Sequence, residues 1–265
     1  MRRTYLFIIS LCLSSLLLKA QDGPKINTDR PSASESAYLL RKGDFQIETG
    51  FLYSEFKEEL TGSNNLKAQF ITLNATALRY GISDKFELKL TQGLNKIRLT
   101  DGTDHISSDA EFVPTLIGFK ANIVELGESN TQLSFQGMVG GDLFMEDGEF
   151  GQADLRLMID QVIADNFSVG GNVAARVLNG FEDTGFAYSV YGATSLSNAA
   201  GLYLEFFGSL FGDDAFLPDS HEIDAGFTYA INPTMQVDAM VGFGLSEFAN
   251  DFTFGFGFSA LIPRK

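Results

Sequence analysis

From residue 43 to its end the chain alternates between apolar and polar positions with a period of two. In the first such segment Phe45, Ile47 and Phe51 share one face, while Gln46 and Glu48 share the other. Alternation of this kind is typical of a β-strand with one apolar and one polar face. Seven further segments repeat it clearly, beginning at 86, 153, 169, 202, 223, 235 and 252, and less regular ones cover 69–80, 113–123, 132–141 and 186–194. The pattern predicts an all-β chain of about twelve strands.

The connections between these segments alternate in length. Short turns are predicted at 81–85, 125–130, 164–166, 197–200 and 232–234. Longer polar loops lie between them, at 57–66, 95–109, 143–151, 179–185, 212–220 and, shorter than the rest, 246–250. An even number of strands, with short periplasmic turns at one end and longer extracellular loops at the other, is typical of an outer-membrane barrel. The sequence therefore predicts a single antiparallel transmembrane β-barrel over residues 43–265, closed so that no strand edge is left unpaired in lipid.

A soluble secreted β-sandwich is the alternative, because alternation does not say whether the apolar face points inward or outward. The barrel is favoured by the unequal connections and by charges that recur on the polar face of strand after strand. Arg79 is an exception, since it lies on the apolar parity of its own strand. We expect its long side chain to reach the membrane interface at the short-turn end.

Residues 1–20 have the features of a secretory signal peptide. Two arginines precede a largely apolar run over 5–18, and Ala20 supplies a small residue at the predicted cleavage site. A short N-terminal membrane anchor is the alternative, although the run is short for a bilayer. Cleavage would remove Cys12, the only cysteine, so we expect no disulfide and no thiolate metal site in the mature protein.

Residues 21–42 are polar, contain proline and show no sustained period, which predicts a periplasmic N-terminal arm. Within it Thr28, Asp29, Arg30 and Pro31 form a compact motif. The charged pair could bind charges on the barrel wall, in which case the arm would enter and occlude the lumen. The alternative is a periplasmic tether with a turn fixed by the proline.

Two stretches of the sequence are similar to those of a known family. The first has Thr-Asp-Arg-Pro at 28–31, Glu-Ser at 35–36 and Gly-x-x-Gln-x-Glu-x-Gly-Phe at 43–51, and the second is the strand–turn–strand segment at 78–88. In these the chain resembles the phenol meta-pathway degradation transporter family of exported β-barrel proteins. The resemblance covers the arm and the first three strands closely and the remainder by pattern. It implies a channel-like outer-membrane protein for small or aromatic compounds, and it carries over no binding residues.

Charge and composition limit the kinds of molecule that the protein is expected to bind. The chain has 34 Asp and Glu against 19 Lys and Arg, a net charge of −15, which excludes nucleic acid because phosphate binding needs a basic surface. It has no apolar run long enough for a transmembrane helix. Outer-membrane lipids and a small-molecule solute are the partners expected, and the outer membrane of a Gram-negative cell is the expected location. With no Trp, the aromatic belt of the barrel would be built from Phe and Tyr, Tyr203 among them.

If the apolar parity faces lipid, the polar parity lines the lumen. The residues predicted there are Glu48, Glu87, Lys89, Lys120, Asp154, Arg156, Asp160, Arg176, Glu205, Glu222, Asp224 and Asp238. Acids outnumber bases among them, so the wall is expected to favour cations. About eight strands leave no open pore and about sixteen leave a channel, so twelve predict a narrow pore or a ligand-sized cavity.

Candidate catalytic chemistry is sparse, and we expect no catalytic site, no metal site and no cofactor. His105 and Ser107 would share one face of a strand, as a general base and nucleophile of an outer-membrane lipid hydrolase must. The stretch around them is polar and rich in Asp, which favours a solvated loop. Carboxylates also cluster in other predicted loops, but none has the spacing of a calcium-binding loop.

The leading functional hypothesis is passive passage or uptake of small solutes, with small aromatic compounds as the class that the resemblance implies. Two alternatives remain open at this point. One is a structural or surface-interaction barrel that transports nothing, and the other is the lipid hydrolase.

Overall fold

The computed structural model of the protein describes residues 26–56, 66–101, 104–125, 130–142, 150–178, 180, 182–211 and 218–265. The predicted signal peptide lies outside these residues, and none of them forms a helix long and apolar enough to cross a membrane. The strands are β1 (Phe45–Phe56), β2 (Leu66–Ser83), β3 (Phe86–Asp101), β4 (Asp104–Ser107), β5 (Glu111–Phe112), β6 (Thr115–Glu125), β7 (Thr131–Gly141), β8 (Phe150–Ala164), β9 (Phe167–Leu178), β10 (Asp183–Ser195), β11 (Ala200–Phe211), β12 (Ser220–Asn232), β13 (Met235–Gly244) and β14 (Asn250–Ile262).

Twelve long antiparallel strands form one closed barrel, as the alternation predicts. Each long strand pairs with the next along the chain, and β1 pairs with β14 from Phe45↔Ile262 to Ser54↔Thr253, which closes the sheet. The short strands β4 and β5 both pair with β3.

The prediction of a loop over 95–109 is wrong for the first half of that range. β3 continues to Asp101, and β4 folds back on it, so that this hairpin extends beyond its neighbours. Ile97 and Leu99 do alternate with charged residues here. The high proportion of charge hid a strand signal that was present in the sequence.

Apolar side chains point outward from the barrel and charged ones point inward. Phe186 and Leu204 are 63% and 58% exposed, whereas Arg79, Lys120 and Glu87 are among the largest side chains that are fully buried. A soluble sandwich would bury its apolar face and expose its charges. The sandwich interpretation is therefore wrong, and the arrangement is that of a barrel immersed in lipid.

The two ends of the barrel differ as predicted. Connections at one end are short, at 84–85, 126–130, 165–166, 196–199 and 233–234. At the other end they span 57–65, 142–149, 179–182, 212–219 and 245–249, together with the extension of β3 and β4. Since periplasmic turns are the short ones in such barrels, the end at which β1 begins at Phe45 and β14 ends at Ile262 is the periplasmic one.

The expectation that Arg79 reaches the membrane interface is wrong. Its side chain is fully buried inside the barrel, where Nε donates to Glu87 at 2.7 Å and Nη1 donates to Glu48 at 2.9 Å. This places a fifth base on the inner wall, next to two of the carboxylates predicted there.

A bulge in β2 explains the error. The pairing of β2 with β3 passes from Thr72↔Asn95 to Asn74↔Leu94, so that Leu73 has no partner in the register. One extra residue reverses the face of every side chain after it. Odd-numbered residues of β2 therefore face lipid before the bulge and face the lumen after it, and Arg79 is one of those after it.

Candidate functional site: the lumen and its N-terminal arm

Residues 26–44, here called the arm, run inside the barrel. The backbone N–H of Ile26 donates to the carbonyl of Pro233 in a short turn (2.9 Å), and the segment returns to the same end where β1 begins at Phe45. Between these points the arm is packed against the inner wall, and Ala37 is completely buried. Over its described residues the predicted periplasmic arm thus lies within the lumen.

Asp29 is bound by three bases of the inner wall. Its carboxylate lies 2.9 Å from the Nζ atoms of both Lys89 and Lys120 and 3.6 Å from Nη1 of Arg79. Burial alone would raise the pKa of Asp29, but these positive charges outweigh it and hold the pKa well below its usual range. The carboxylate therefore stays ionised in the lumen.

Glu35 extends the same charge cluster. Its carboxylate lies 2.6 Å from Nζ of Lys89, and its backbone N–H donates to the side-chain oxygen of Asn172 at 2.7 Å. Burial would raise the pKa of Glu35, but the charges of Lys89 and Arg156 lower it to about 2. Two acids of the arm thus face bases contributed by β2, β3, β6 and β8.

Carboxylates of the wall hold the backbone of the arm. Glu205 accepts from the backbone N–H groups of Ala33 and Ser34, both at 2.8 Å. Asp160 accepts from the N–H of Ala37 at 2.6 Å, and Glu87 from that of Leu40 at 2.8 Å. Because a buried N–H group needs a partner, these carboxylates let a segment without secondary structure lie inside the barrel. They bind main chain, so sequence inspection of the arm could not have revealed them.

Wall donors hold the arm's carbonyl groups in the same way. Lys120 donates to the carbonyl of Ser36 at 2.9 Å, and Arg79 donates to that of Tyr38 at 3.2 Å. The hydroxyl of Ser134 donates to the carbonyl of Ala37 at 2.5 Å. The inner wall therefore binds both the acceptors and the donors of the arm.

Arg30 occupies a slot between β1 and β14. Gly50 and Gly257 face each other in the register, and a Cβ atom on either would lie within 2.2 to 2.4 Å of the Arg30 guanidinium group. Nη2 of Arg30 donates to Asp238 and to the carbonyl of Phe256, both at 3.3 Å. Only glycine leaves room for this side chain, so the first and last strands of the barrel form its binding slot.

The other two residues of the motif lie close to this slot. The hydroxyl of Thr28 donates to the carbonyl of Arg30 at 2.9 Å and accepts from the amide of Gln236 at the same distance. Pro31 lines the larger of two cavities beside the arm. All four motif residues are thus in contact with the lumen.

Eleven of the twelve residues predicted to line the lumen are buried on the inner face, and Arg176 is partly exposed. Asp154 lies 3.0 Å from both Arg156 and Arg176, which forms a separate cluster on β8 and β9. The remaining bases surround the acids of the arm. The sequence pattern did not predict this separation of charge, in which the carboxylates of β11–β13 are left facing few bases.

Two cavities lie on the wall of β8–β12, one on each side of the arm. The larger, about 390 Å³, is at the short-turn end and is lined by Tyr38, Tyr191 and Tyr203 among others. The smaller, about 220 Å³, is on the long-loop side, beside Tyr188 and Arg156. Residues 33 and 34 of the arm lie between them, held by Glu205. Tyr203 was expected in the aromatic belt, but its ring covers Gly226 on the inner face instead.

The described part of the chain does not bring the candidate catalytic and metal-binding residues together into a site. Ser107 is exposed on β4, and the side chain of His105 lies outside the described residues. The acidic stretches at 143–149 and 212–217 lie outside them too. Among the residues that are described, no group of three His, Cys, Asp or Glu is placed to hold a metal ion.

Comparison with known proteins gives one family and several similar folds. The family model described as "Putative MetA-pathway of phenol degradation" matches residues 28–262. The structure of the COG4313 outer membrane channel from Pseudomonas putida F1 is similar over 88% of this chain and 99% of its own, with a TM-score of 0.68 and 10% identity. No curated protein sequence gives a match.

Two further solved structures are similar at lower scores. The translocator domain of the autotransporter NalP from Neisseria meningitidis matches over 84% of this chain and 90% of its own, with a TM-score of 0.55 and 11% identity. The CymD monoaromatic hydrocarbon channel matches over 85% and 90%, with a TM-score of 0.51 and 8% identity. At these identities the likeness shows a shared outer-membrane barrel fold.

Proposed function

The chain belongs to the family described as "Putative MetA-pathway of phenol degradation", and from this membership and its geometry we propose that it is an outer-membrane channel for small solutes, closed by its own N-terminal arm. The observation that carries the proposal is the arm itself. It leaves the short-turn end at Ile26, contacts β11 through Ser34 and returns along β6 and β3. A segment that crosses the lumen in this way obstructs it.

Small aromatic compounds are the solutes that we propose. The name of CymD, a monoaromatic hydrocarbon channel, supports this class for a barrel of similar fold. The larger cavity beside the arm supports it as well, because three tyrosines line a volume of about 390 Å³, within the range of sites that bind small molecules.

For ions, we propose a preference for cations once the arm is displaced. The acids of the arm neutralise the bases of β3 and β6 only while the arm is docked. The four carboxylates of β11–β13 remain in either state, and a wall of one charge sign concentrates the opposite ion.

Planar-bilayer recordings test the proposal. We expect the full mature chain to show rare, small conductance steps, and a variant lacking residues 22–40 to show larger, sustained steps with cation preference. Migration that differs before and after boiling in SDS would confirm that both proteins are folded. Absence of conductance from both folded proteins would instead favour a structural barrel.

The lipid hydrolase is tested separately. Ser107 is exposed rather than set in a pocket, which supports a protein without catalytic activity. We expect no phospholipid hydrolysis by the purified barrel. Activity that His105→Ala and Ser107→Ala each abolish would overturn this part of the proposal.

A further inference from the structure

The outward face of β2 and β3 changes from apolar to basic as these strands approach the long-loop end. Glu87 and Lys89 are buried on the inner face, so the even-numbered residues of β3 point outward. From the short-turn end upward these are Phe86, Leu88, Leu90, Gln92, Leu94, Lys96 and Arg98. Residues that pair directly across two strands share a face, and Gln69 of β2 pairs with Arg98. Lys67, two residues from Gln69 on β2, therefore points outward as well.

The three bases Lys67, Lys96 and Arg98, here called the basic patch, lie where the hairpin leaves the membrane. A strand of an outer-membrane barrel crosses the hydrocarbon in about 9 to 11 residues. Since β3 begins at Phe86 at the short-turn end, this length ends close to Lys96, and Arg98 lies beyond it. Lys67 pairs with Thr100 and is farther still from the short-turn end. Because the long loops are extracellular, the basic patch lies at the level of the lipid headgroups in the outer leaflet.

The bases of the patch are close together and lack partners of their own. Lys96 and Arg98 are two residues apart on one face of β3, and Lys67 lies diagonally across from Arg98. Such neighbours are about 7 to 8 Å apart, within reach of long side chains. None of the three forms an ion pair or a side-chain hydrogen bond with a residue that the structure describes. Glu55 of β1 points outward beside Gln69, but its carboxylate accepts from the hydroxyl of Tyr53 at 2.8 Å.

Other strands present apolar side chains on the outer surface near the long-loop end. They include Val139 of β7, Phe186 of β10, Leu210 of β11 and Phe243 of β13, all of which are exposed. The whole chain has a net charge of −15. The basic patch is thus a local feature of the β2–β3 hairpin, and its charge is opposite to that of the chain as a whole.

We propose that the basic patch binds the phosphate groups of lipopolysaccharide in the outer leaflet. Arg and Lys side chains form charge-assisted hydrogen bonds with phosphate oxygens, and their long stems can follow an apolar surface while the charged ends stay in the headgroup layer. Lipid A, the part of lipopolysaccharide that is embedded in the membrane, carries its phosphate groups directly above its acyl chains. Leu94 and Phe112, which pair with each other below the patch, offer those chains an apolar surface.

Thermal unfolding of the full mature chain in micelles of a non-ionic detergent tests the proposal. The probes are diphosphorylated lipid A, lipid A with the same acyl chains but no phosphate, phosphatidylglycerol and inorganic phosphate. A ligand that binds only the folded state raises the unfolding temperature with a saturating dependence on its concentration. We expect diphosphorylated lipid A to do so at concentrations at which the other three do not. An equal response to any of those three would overturn the proposal, because acyl chains alone, any anionic lipid or free phosphate would then suffice.

Variants locate the effect. The double variant Lys96→Gln with Arg98→Gln removes two charges from the patch, so we expect the half-saturating concentration of diphosphorylated lipid A to rise about tenfold or more. Lys85→Gln is the matched control, because Lys85 is an exposed lysine in the short turn at the opposite end, and it should leave that concentration unchanged.

Without lipid A, both variants should unfold at the wild-type temperature, since the substituted side chains have no partner in the described chain. A double variant that needs no more lipid A than wild type would overturn the proposal. The measurement needs no conductance, so its outcome is independent of the channel function.

Discussion

Arg30 lies in the lumen because two side chains are absent from the barrel wall. Gly50 and Gly257 leave the space that its guanidinium group fills, and Asp238 supplies the opposite charge. Charge-assisted hydrogen bonds of this kind are stronger than neutral ones. At the scale of single residues, two adjacent side chains of the arm therefore bind different parts of the wall, Arg30 through a shape match and Asp29 through a cluster of bases.

Gly257→Ala tests the slot. Its Cβ would lie 2.4 Å from Nε of Arg30, so the guanidinium group must leave Asp238 and the carbonyl of Phe256. Loss of hydrogen bonds to a charged group weakens docking by about 1.5 to 3 kcal/mol. We expect the open probability in planar bilayers to rise about tenfold or more. Gly192→Ala is the matched control, since its Cβ would meet nothing closer than 3.4 Å; equal effects of the two would refute the slot.

The lowered pKa of Glu35 predicts how docking of the arm responds to a fall in pH. Its pKa is lowered from 4.5 to about 2 in the docked arm, so it stabilises docking above pH 4.5 and loses that contribution as the pH falls towards 2. We expect Glu35→Gln to unfold at a lower urea concentration than wild type at pH 7, and the difference to shrink between these two pH values. A difference that grew on acidification would contradict the account.

At the scale of elements, the bulge in β2 decides which charges meet. Without the extra residue at Leu73, Arg79 would face lipid and the carboxylates of Glu48 and Glu87 would lack their counter-charge. A bulge bends a strand and re-aims its side chains, and here it turns the only base of β2 near the short-turn end into the lumen.

The variant Arg79→Leu measures how much the buried ion pairs of Arg79 contribute to the free energy of unfolding. Removing one partner of a buried ion pair destabilises a protein by about 3 to 5 kcal/mol, so we expect a large fall in the urea midpoint. Arg41→Leu is the control, because Arg41 pairs with Asp44 while 61% exposed and such pairs contribute about 1 kcal/mol or less. If the Arg79→Leu barrel were as stable as wild type, the buried ion pairs of Arg79 would be contradicted, and its expected position at the membrane interface would be favoured instead.

The elements also show what the sequence could predict. Alternation along segments such as 153–159 and 235–243 was enough for the strands and their number, because period two is a local property. The choice of which face points inward needed the unequal connections and the recurrent charges as well. The bulge was not predictable, since Ile71, Leu73 and Ala75 continue one apolar parity straight through it. The contacts that hold the arm in the lumen were not predictable either. Glu205 and Asp160 bind backbone N–H groups of the arm, and backbone groups carry no sequence signal.

At the scale of the whole molecule, the barrel has an apolar outer surface and a polar lumen, and the arm of its own chain occupies part of that lumen. Charge is divided across the lumen: bases of β2, β3 and β6 bind the acids of the arm, while Glu205 of β11 and Asp238 of β13 bind its backbone and Arg30. The arm is thus bound on opposite walls at once. Displacing it breaks both sets of contacts and leaves an acid-lined passage.

The most direct test of that claim is a disulfide that locks the arm to the wall. The hydroxyl oxygens of Ser34 and Ser189 lie 2.5 Å apart, so the double variant Ser34→Cys with Ser189→Cys places two thiols within bonding range. It is made in a chain that starts after residue 20, which lacks Cys12 and so has no other thiol. Conductance is recorded from the oxidised form, from the same protein after reduction, and from the barrel lacking residues 22–40. We predict silence from the oxidised form, the rare steps of wild type after reduction, and sustained conductance only without the arm. An oxidised barrel that conducted as well as the arm-deleted one would contradict the account.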